Sequence, residues 1–559
     1  MQESACRDDR GEAKLRTASL SFAEIPAQSR LFLDYQSHPL SLSHFYPSAV
    51  ASYQDVGDRV AEVLDNYPDH RDAVCDILLD QNRGFDASEK VTTHIDLLRR
   101  EKTVAVLTGQ QAGVFGGPLY TIYKAVTAIK MAENLRTRGI DAVPIFWAAT
   151  EDHDFAEIAE VFDIDASGSL RHSKVEDSDG SGEKPVGNVL VDDEIALFID
   201  EHIDSLPRTE FTKTVRSLLK KCWSPDLTYG KAFCKFISSL FAEYGLIVVD
   251  PIDPRLKRLS TPLFLSAIEK TSEIVPSLIA RSNELESAGY HSQVLIADDH
   301  VPFFLIDEDG KRTTLKLVRD GKFNLSSKRK GLSKQYLIQV AETEPERISP
   351  GVMLRPVVQD FLFPTICYFG GGAEIAYFAQ NSEVYRILDR PITPIIHRQS
   401  FTVVESKHSR TLEKFELEFT NLLSGFDELL PSIIDRFVNP GSARLFADVK
   451  ENINAELHKL DAEMNKIDPS LAANLATRRR KIVYHIAALQ KKFHLVQAER
   501  DETVNRQLRA AFTELMPRGA LQERTVGITT YLNRHGSYFI DWLYDSIELD
   551  DKGHRIIYL

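Results

Sequence analysis

The sequence predicts an α/β fold on a parallel sheet, with two inserted connecting segments and an all-α antiparallel coiled-coil domain after it. Three observations predict it. An apolar run, Val104 to Leu107, breaks into a glycine-rich turn, continues as an amphipathic helix, and returns to a second apolar run, Val143 to Ala149. The order strand, glycines, helix recurs over residues 363–388. Beyond Phe401, the stretch Asp448 to Met516 is almost free of glycine and proline, with apolar residues at three- and four-residue steps.

Taken in order, residues 1–20 read as a disordered tail and 21–400 as the sheet core. Val60 to Leu64 and Ala73 to Leu79 suggest short helices. After Val104 to Leu107, Gly109, Gly113, Gly116 and Gly117 form the turn. Pro118 then opens a helix, because its missing N–H would be unpaired at the first helical position anyway. Leu119, Ile122, Tyr123, Val126 and Ile129 give that helix its apolar stripe, and Gly139 ends it. Such crossovers are right-handed, so both strands run parallel with their carboxyl ends on one edge. Residues 163–227 form a first insert, containing a polar loop over Ser167 to Lys184 and helices over Ile195 to Asp204 and Thr212 to Cys222. Gly245 to Asp250 is a buried strand, followed by a helix over Pro262 to Asn283. A second insert, 290–348, holds strands over Val294 to Ala297 and Val301 to Ile306, a hairpin turn at 307–310, and a basic run ending at the helix-capping Ser333. Phe363 to Phe369, Gly370 to Gly372 and Ala373 to Leu388 repeat the strand, turn and helix, and Ile392 to Ile396 closes the sheet. Residues 401–518 read as the helical domain: Val403 to Leu423, then two arms turning at Asp468-Pro469-Ser470, with Leu457, Leu460, Met464, Ile482, Ile486, Leu489, Phe493 and Val496 as seam. Residues 519–559, with Trp542 and an apolar finish, should dock back on the core.

Bulk properties narrow the function. A chain of 559 residues exceeds one compact core. The net charge of -15 argues against nucleic acid and anionic membranes as partners. Cys6, Cys75, Cys222, Cys234 and Cys367 are scattered without a CxxC pair, so neither a zinc site nor a disulfide framework is expected, and the chain reads as cytoplasmic. No apolar run is long enough to span a membrane.

The chemistry concentrates at the sheet's carboxyl edge, where ligands of open α/β sheets bind. The second apolar run ends in Glu151-Asp152-His153-Asp154, a set suited to a cation, a metal or proton transfer; a surface capping cluster is the alternative. Four ionisable residues ending a buried strand would be costly unless they face a crevice. The glycine turn is neither a Walker A loop nor GxGxxG, and a purely structural turn is an even alternative to an anion site. Gln110 and Gln111 offer amide donors and acceptors for sugar hydroxyls. Lys124 is either a solvated helix residue or a phosphate contact. Arg355 either pairs with Asp360 or, with Gln359, binds substrate. Glu374 either complements its helix dipole or holds a ligand ammonium.

Three long blocks, TGQQAGVFGGPLYTIYKA, FWAATEDHDFAE and LRPVVQDFLFPTICYFGGGAEIAYFAQ, together with IPAQSRLFLDY near the start and YLNRHG at 531–536, resemble the signature of the bacillithiol biosynthesis BshC family of cysteine ligases. The resemblance runs from about Leu20 to the C-terminus. It implies a Rossmann-like core with two inserted connecting segments, a coiled-coil domain, and a homodimer formed through the helical arms. One departure is that the family's GPGE block reads Gly371-Gly372-Ala373-Glu374 here, which loosens the turn but keeps the acid.

The implied reaction joins the carboxyl of L-cysteine to the amine of glucosaminyl-malate. A carboxylate does not condense with an amine unaided, so ATP is expected, through an acyl-adenylate or acyl-phosphate, with Mg²⁺ as a candidate ion. On this expectation Thr108, Gly109, Gly113, Gly116, Gly117 and Lys124 hold the nucleotide phosphates. Asp152 and Asp154 hold the cysteine ammonium or Mg²⁺, and His153 stabilises the activation step or takes the amine proton. Gln110, Gln111, Arg355 and Gln359 bind sugar hydroxyls or malate carboxylates, and Glu374, Tyr377 and Gln380 complete the pocket. Neither HIGH nor KMSKS is present, so cysteine selection does not follow class I aminoacyl-tRNA synthetases. The rival functions are a nucleotide-sugar, glycosyltransferase-like enzyme and a non-catalytic nucleotide-binding coiled-coil scaffold.

Overall fold

The computed structural model describes residues 15–176, 181–318, 322–325, 331–438, 440–500 and 502–559. Two compact units result: one reaching Thr402 and resuming over Gln522–Ile557, the other over Val403–Leu521 with Tyr558 and Leu559. Residues 1–14 of the expected tail, and 326–330 of the basic run, lie outside the described residues.

The first unit is organised on five strands: β1 (Val104–Gln110), β2 (Ala142–Ala148), β3 (Ile247–Val249), β4 (Thr365–Gly370) and β5 (Ile395–His397). Their order is β5-β4-β1-β2-β3, and every neighbouring pair is parallel. β1 up to Thr108 and all of β2 are buried, as strands covered on both faces must be. Helix α1 (Tyr120–Thr137) crosses from β1 to β2, and α2 (Gly372–Ile387) follows β4. The chain adds β2 and β3 on one side of β1, then places β4 and β5 on the other. The strand order therefore reverses between β1 and β4, and a crevice opens there beyond the strands' carboxyl ends.

Both inserts are structured. Glu160–Ile164 pairs antiparallel with Leu170–Lys174, so the segment read as a polar loop contains a strand. The second insert forms an antiparallel sheet in which Phe303–Ile306 lies between Arg312–Val318 and Ile348–Pro350.

Other departures have local causes. The crossover helix starts at Tyr120, not Pro118, because Gly116 and Gly117 have positive φ and Pro118 bridges Gly527 instead. Val294 to Ala297 is not a strand; the Gln380 amide holds the Val294 backbone at its N–H and its carbonyl. The helix expected over 262–283 is two, Thr261–Glu269 and Thr271–Ser287. Arg16–Leu20, assigned to the tail, is a strand. Ser333 does cap the helix after it, accepting the Tyr336 N–H at 3.0 Å.

In the second unit, α3 (Pro440–Ile467) and α4 (Pro469–Arg500) form an antiparallel hairpin. The register descends through the Phe446–Phe493 rings, 5.6 Å apart, Lys450 Nζ to Gln490 Oε1 at 2.7 Å, and Arg479 Nε to Asn454 Oδ1 at 2.8 Å. Leu460, Ile482, Leu489 and Val496, read as seam residues, are exposed on the single chain. The continuous helix expected over 403–423 is a strand end, then Ser406–Lys414 and Phe419–Leu422, broken where Glu416 takes φ 50°.

Candidate functional site

A cavity of about 620 Å³ occupies the crevice between the carboxyl ends of β1 and β4. Gly109, Gln110 and Gln111 line it from β1, Asp152 and His153 from the end of β2, and Gly371 to Glu374 from the start of α2. Lys124, Arg355 and Tyr377 complete the part the sequence anticipates.

Lys124 is buried in α1, a helix covered on most sides. Its Nζ donates to the Gly109 carbonyl at 2.9 Å and to Gln110 Oε1 at 2.8 Å, and pairs with Glu374. Burial pushes the Lys124 ammonium downward, and Glu374 opposes the shift. Burial likewise works to raise Glu374, but Lys124, the Gly371 N–H and the Tyr368 hydroxyl outweigh it and hold the carboxyl below its ordinary range. Lys124 is therefore not a solvated helix residue, and Glu374 takes the helix-start role, capping α2 at Gly371 N while it holds a protein ammonium.

Arg355 donates to the Tyr377 hydroxyl at 2.7 Å and to Gln359 Oε1 at 3.3 Å. It does not pair with Asp360, which instead accepts the Tyr385 hydroxyl. Gln359 is fully buried behind Arg355 and supports it without lining the cavity. Gln380 is fully buried and spent on Val294 and Ser282, away from the cavity. Thr108 donates to the Phe369 carbonyl across the sheet, a structural bond.

The glycine turn after β1 is closed. Gly113 N–H donates to the Gln111 carbonyl, Gly116 to Gly113, Gly117 to Val114, and Leu119 to Val526. Gly113, Gly116 and Gly117 lie outside the cavity, so the expected phosphate cradle over residues 113–118 has no free donors at these positions. The open turn is the second one: the N–H groups of Gly372 and Ala373 begin α2 at the cavity wall with no protein partner among the described residues.

Asp152 accepts the His153 N–H at 2.8 Å and the Gln111 amide at 2.9 Å, and faces Arg312 at 3.4 Å. Burial works to raise its carboxyl; the Gln111 amide, the charge of Arg312 and the His153 backbone N–H overcome it and hold Asp152 well below the usual range. Asp154 faces away, capping Phe155–Ile158 through the Glu157 N–H. A shared Mg²⁺ between Asp152 and Asp154 therefore does not fit. Among the described residues no group of three or more His, Cys, Asp or Glu side chains is placed to hold a metal ion. Glu151 pairs with Lys257, both buried at the back of the site.

The chain matches, over residues 15–399, the family described as "Bacillithiol biosynthesis BshC, N-terminal Rossmann-like domain", and over 401–559 its "C-terminal coiled-coil domain". It belongs to the BshC family. Similar proteins carry the name "Putative cysteine ligase BshC". The one from Koribacter versatilis is 33% identical over 538 residues, covering 96% of this chain and 99% of that one. That from Salinibacter ruber is 32% identical, over 96% of this chain and 97% of its own. That from Solibacter usitatus is 33% identical, over 96% and 98%. The Rossmann-like core and helical domain expected from the sequence are those of the BshC family. No helix among the described residues is long and apolar enough to cross a membrane.

Sequence reading missed several members of this BshC site. Arg312 reaches it from the second insert, and Arg524 from the C-terminal segment. Arg398 is buried and held by both Glu523 oxygens, at 2.9 and 2.7 Å. Tyr120 and Tyr368 also line the wall. Spacing carries no signal for residues so far from the motifs; the only cue is that each insert returns to the sheet's carboxyl edge.

Proposed function

We propose that the chain is a cysteine ligase of bacillithiol biosynthesis, forming the amide between the L-cysteine carboxyl and the amine of glucosaminyl-malate at the expense of ATP. The observation that carries the reading is a cavity at the sheet's switch point whose Arg355 and Arg524 have no carboxylate partner among the described residues. The other cations there are matched: Lys124 with Glu374, Arg312 with Asp152, Arg398 with Glu523. An anionic substrate suits the two that remain, and a guanidinium grips carboxylate or phosphate oxygens bidentately.

In this reading Arg355, fixed by Tyr377 and Gln359, takes a carboxylate or phosphate oxygen, and Arg524 takes a second. The N–H groups of Gly372 and Ala373 donate to an anion at the start of α2. ATP supplies the leaving group that makes the cysteine carboxyl reactive. Gln110 and Gln111 present their amides at the β1 edge to sugar hydroxyls. His153 stands beside the acidic end of β2, where the carboxyl under attack would gain charge. Two chains associating through the exposed apolar residues of α3 and α4 complete the proposed homodimer.

The test is mass spectrometry of purified protein with glucosaminyl-malate, L-cysteine, Mg²⁺ and ATP. The cysteinyl amide should appear with AMP or ADP as co-product. Binding of neither substrate would reject the reading.

A further inference from the structure

Arg312 is a firmly held cation of the cavity wall. Its Nε donates to Ser349 Oγ at 2.9 Å and its Nη2 to the Pro350 carbonyl at 3.0 Å, while the guanidinium lies 3.9 Å over the Phe304 ring. Three strands of the second insert thus aim its remaining nitrogen, Nη1, at the end of β2. Nη1 stands 3.2 Å from His153 Nδ1 and 3.4 Å from Asp152 Oδ1.

A guanidinium can only donate. The nitrogen facing it must therefore be the imidazole's bare, accepting one. The competing partner for Nδ1 is Asp152 Oδ1 at 3.6 Å, beyond hydrogen-bond reach and already accepting the His153 N–H and Arg312. A proton on Nδ1 would also point at a cation. The His153 backbone is held in turn by its own bond to Asp152, and the first insert fixes the segment from the far side, with Val186 N–H on the Asp152 carbonyl and Gly187 N–H on the Thr150 carbonyl. The ring lines the cavity beside Phe304, and Nε2 has no protein partner among the described residues.

We infer that Arg312 is a positioning residue that fixes His153 as the neutral tautomer carrying its proton on Nε2, so that His153 serves the cavity as a hydrogen-bond donor to a substrate oxygen and not as a base. The tautomer follows from the protein alone. Only the identity of the oxygen, that of the cysteine carboxyl, rests on the ligase reading.

Long-range ¹⁵N–¹H correlation on the full chain labelled at histidine, in mildly alkaline buffer, reads the tautomer directly; the His153 signal is the one lost in His153→Gln. The wild type should show Nε2 protonated and Nδ1 bare. Nδ1 protonated in the wild type would overturn the inference. In Arg312→Ala the proton should move toward Nδ1, because Asp152 becomes the only acceptor beside it; an unchanged spectrum from the folded variant would show that Arg312 does not set the tautomer. In the ligase assay, His153→Ala should lose about 10²–10³-fold in kcat, the cost of removing one oriented donor. His153→Gln, whose amide still donates, should retain at least ten times the rate of His153→Ala. Equal loss in both would make His153 a base and reject the donor role. Absence of amide product from the wild type would reject the ligase reading and leave the tautomer standing.

Discussion

The molecule contains the same local pattern twice, a buried strand running through glycines into a helix, and the two copies have opposite fates. After β1, the turn folds on itself: its N–H groups at 113, 116, 117 and 119 are bonded to carbonyls, and Gly116 packs against Phe236 and Ile528. After β4, the Gly371 N–H is satisfied by Glu374, while those of Gly372 and Ala373 lie at the cavity wall with no protein partner among the described residues. The difference is not in the glycines. It lies in what the rest of the chain lays over them. The C-terminal segment covers the first turn, with Val526 accepting from Leu119 and Gly527 bridging Pro118, whereas the same segment offers Arg524 to the space before the second. A glycine turn becomes a site when its donors are left without partners.

The Lys124–Glu374 pair ties the two turns together, so breaking it gives the largest expected effect. Glu374→Gln leaves a buried ammonium without its counter-charge, which costs about 3 kcal/mol or more in chemical denaturation. Lys124→Met with Glu374→Gln should recover most of that loss, because neither charge then remains. The pH dependence has a definite sign. A carboxyl held below its unfolded value contributes stability above the ordinary carboxylate range and loses it as pH falls through the folded value. Acid unfolding should therefore begin at higher pH in the wild type than the double variant shows relative to its own neutral-pH stability.

Two substitutions separate the turns functionally. Arg355→Ala removes a charged donor from the open side, and a loss of about 1.5–3 kcal/mol in transition-state binding, roughly 10–150-fold in kcat/KM, is expected with little change in melting temperature. Gly116→Ala acts on the closed side. Its φ of 94° is strained for any L side chain, and an added Cβ would sit 2.8 Å from Phe236 Cε1. A stability loss of about 1–3 kcal/mol is expected, with KM for both substrates unchanged. A raised KM in Gly116→Ala would mean that the first turn contacts ligand after all.

What could be read beforehand follows the range of each signal. Strands β1, β2 and β4 and their helices were legible because apolar runs and periodicity are local, and the position of Asp152 and His153 at a strand end placed them in the crevice. Lys124 could not be read, because its burial depends on α1 being covered on most sides by elements distant in sequence. Asp154 was misread for the opposite reason: a cap is local, but an acidic cluster gives no sign of which member turns away to serve a helix start. Gln380 and Gln359 show a third limit. Their helices were anticipated, yet the face each amide occupies is decided by Val294 in one case and Arg355 in the other. Arg312, Arg398 and Arg524 come from three separate segments, and only the folded chain brings them to one wall.

The smallest expected effect is the sharpest test of the comparison. Gly372 begins α2 without a positive φ, and a Cβ added there would meet Phe32 Cδ2 at 3.5 Å, an ordinary contact. Gly372→Ala should therefore keep stability within about 0.5–1 kcal/mol of the wild type, in the stabilising direction if anything, since alanine loses less backbone freedom on entering a helix. Because the methyl packs on Phe32 and the N–H is retained, kcat/KM should fall no more than a few-fold. The glycine at the open, anion-facing turn would then be dispensable while the glycine at the closed turn is not, which is the reverse of what the two motifs suggest on inspection. Strong loss of substrate binding in Gly372→Ala, with the fold intact, would place the ligand so close to the backbone that glycine itself, and not the unpartnered N–H, is what the open turn supplies.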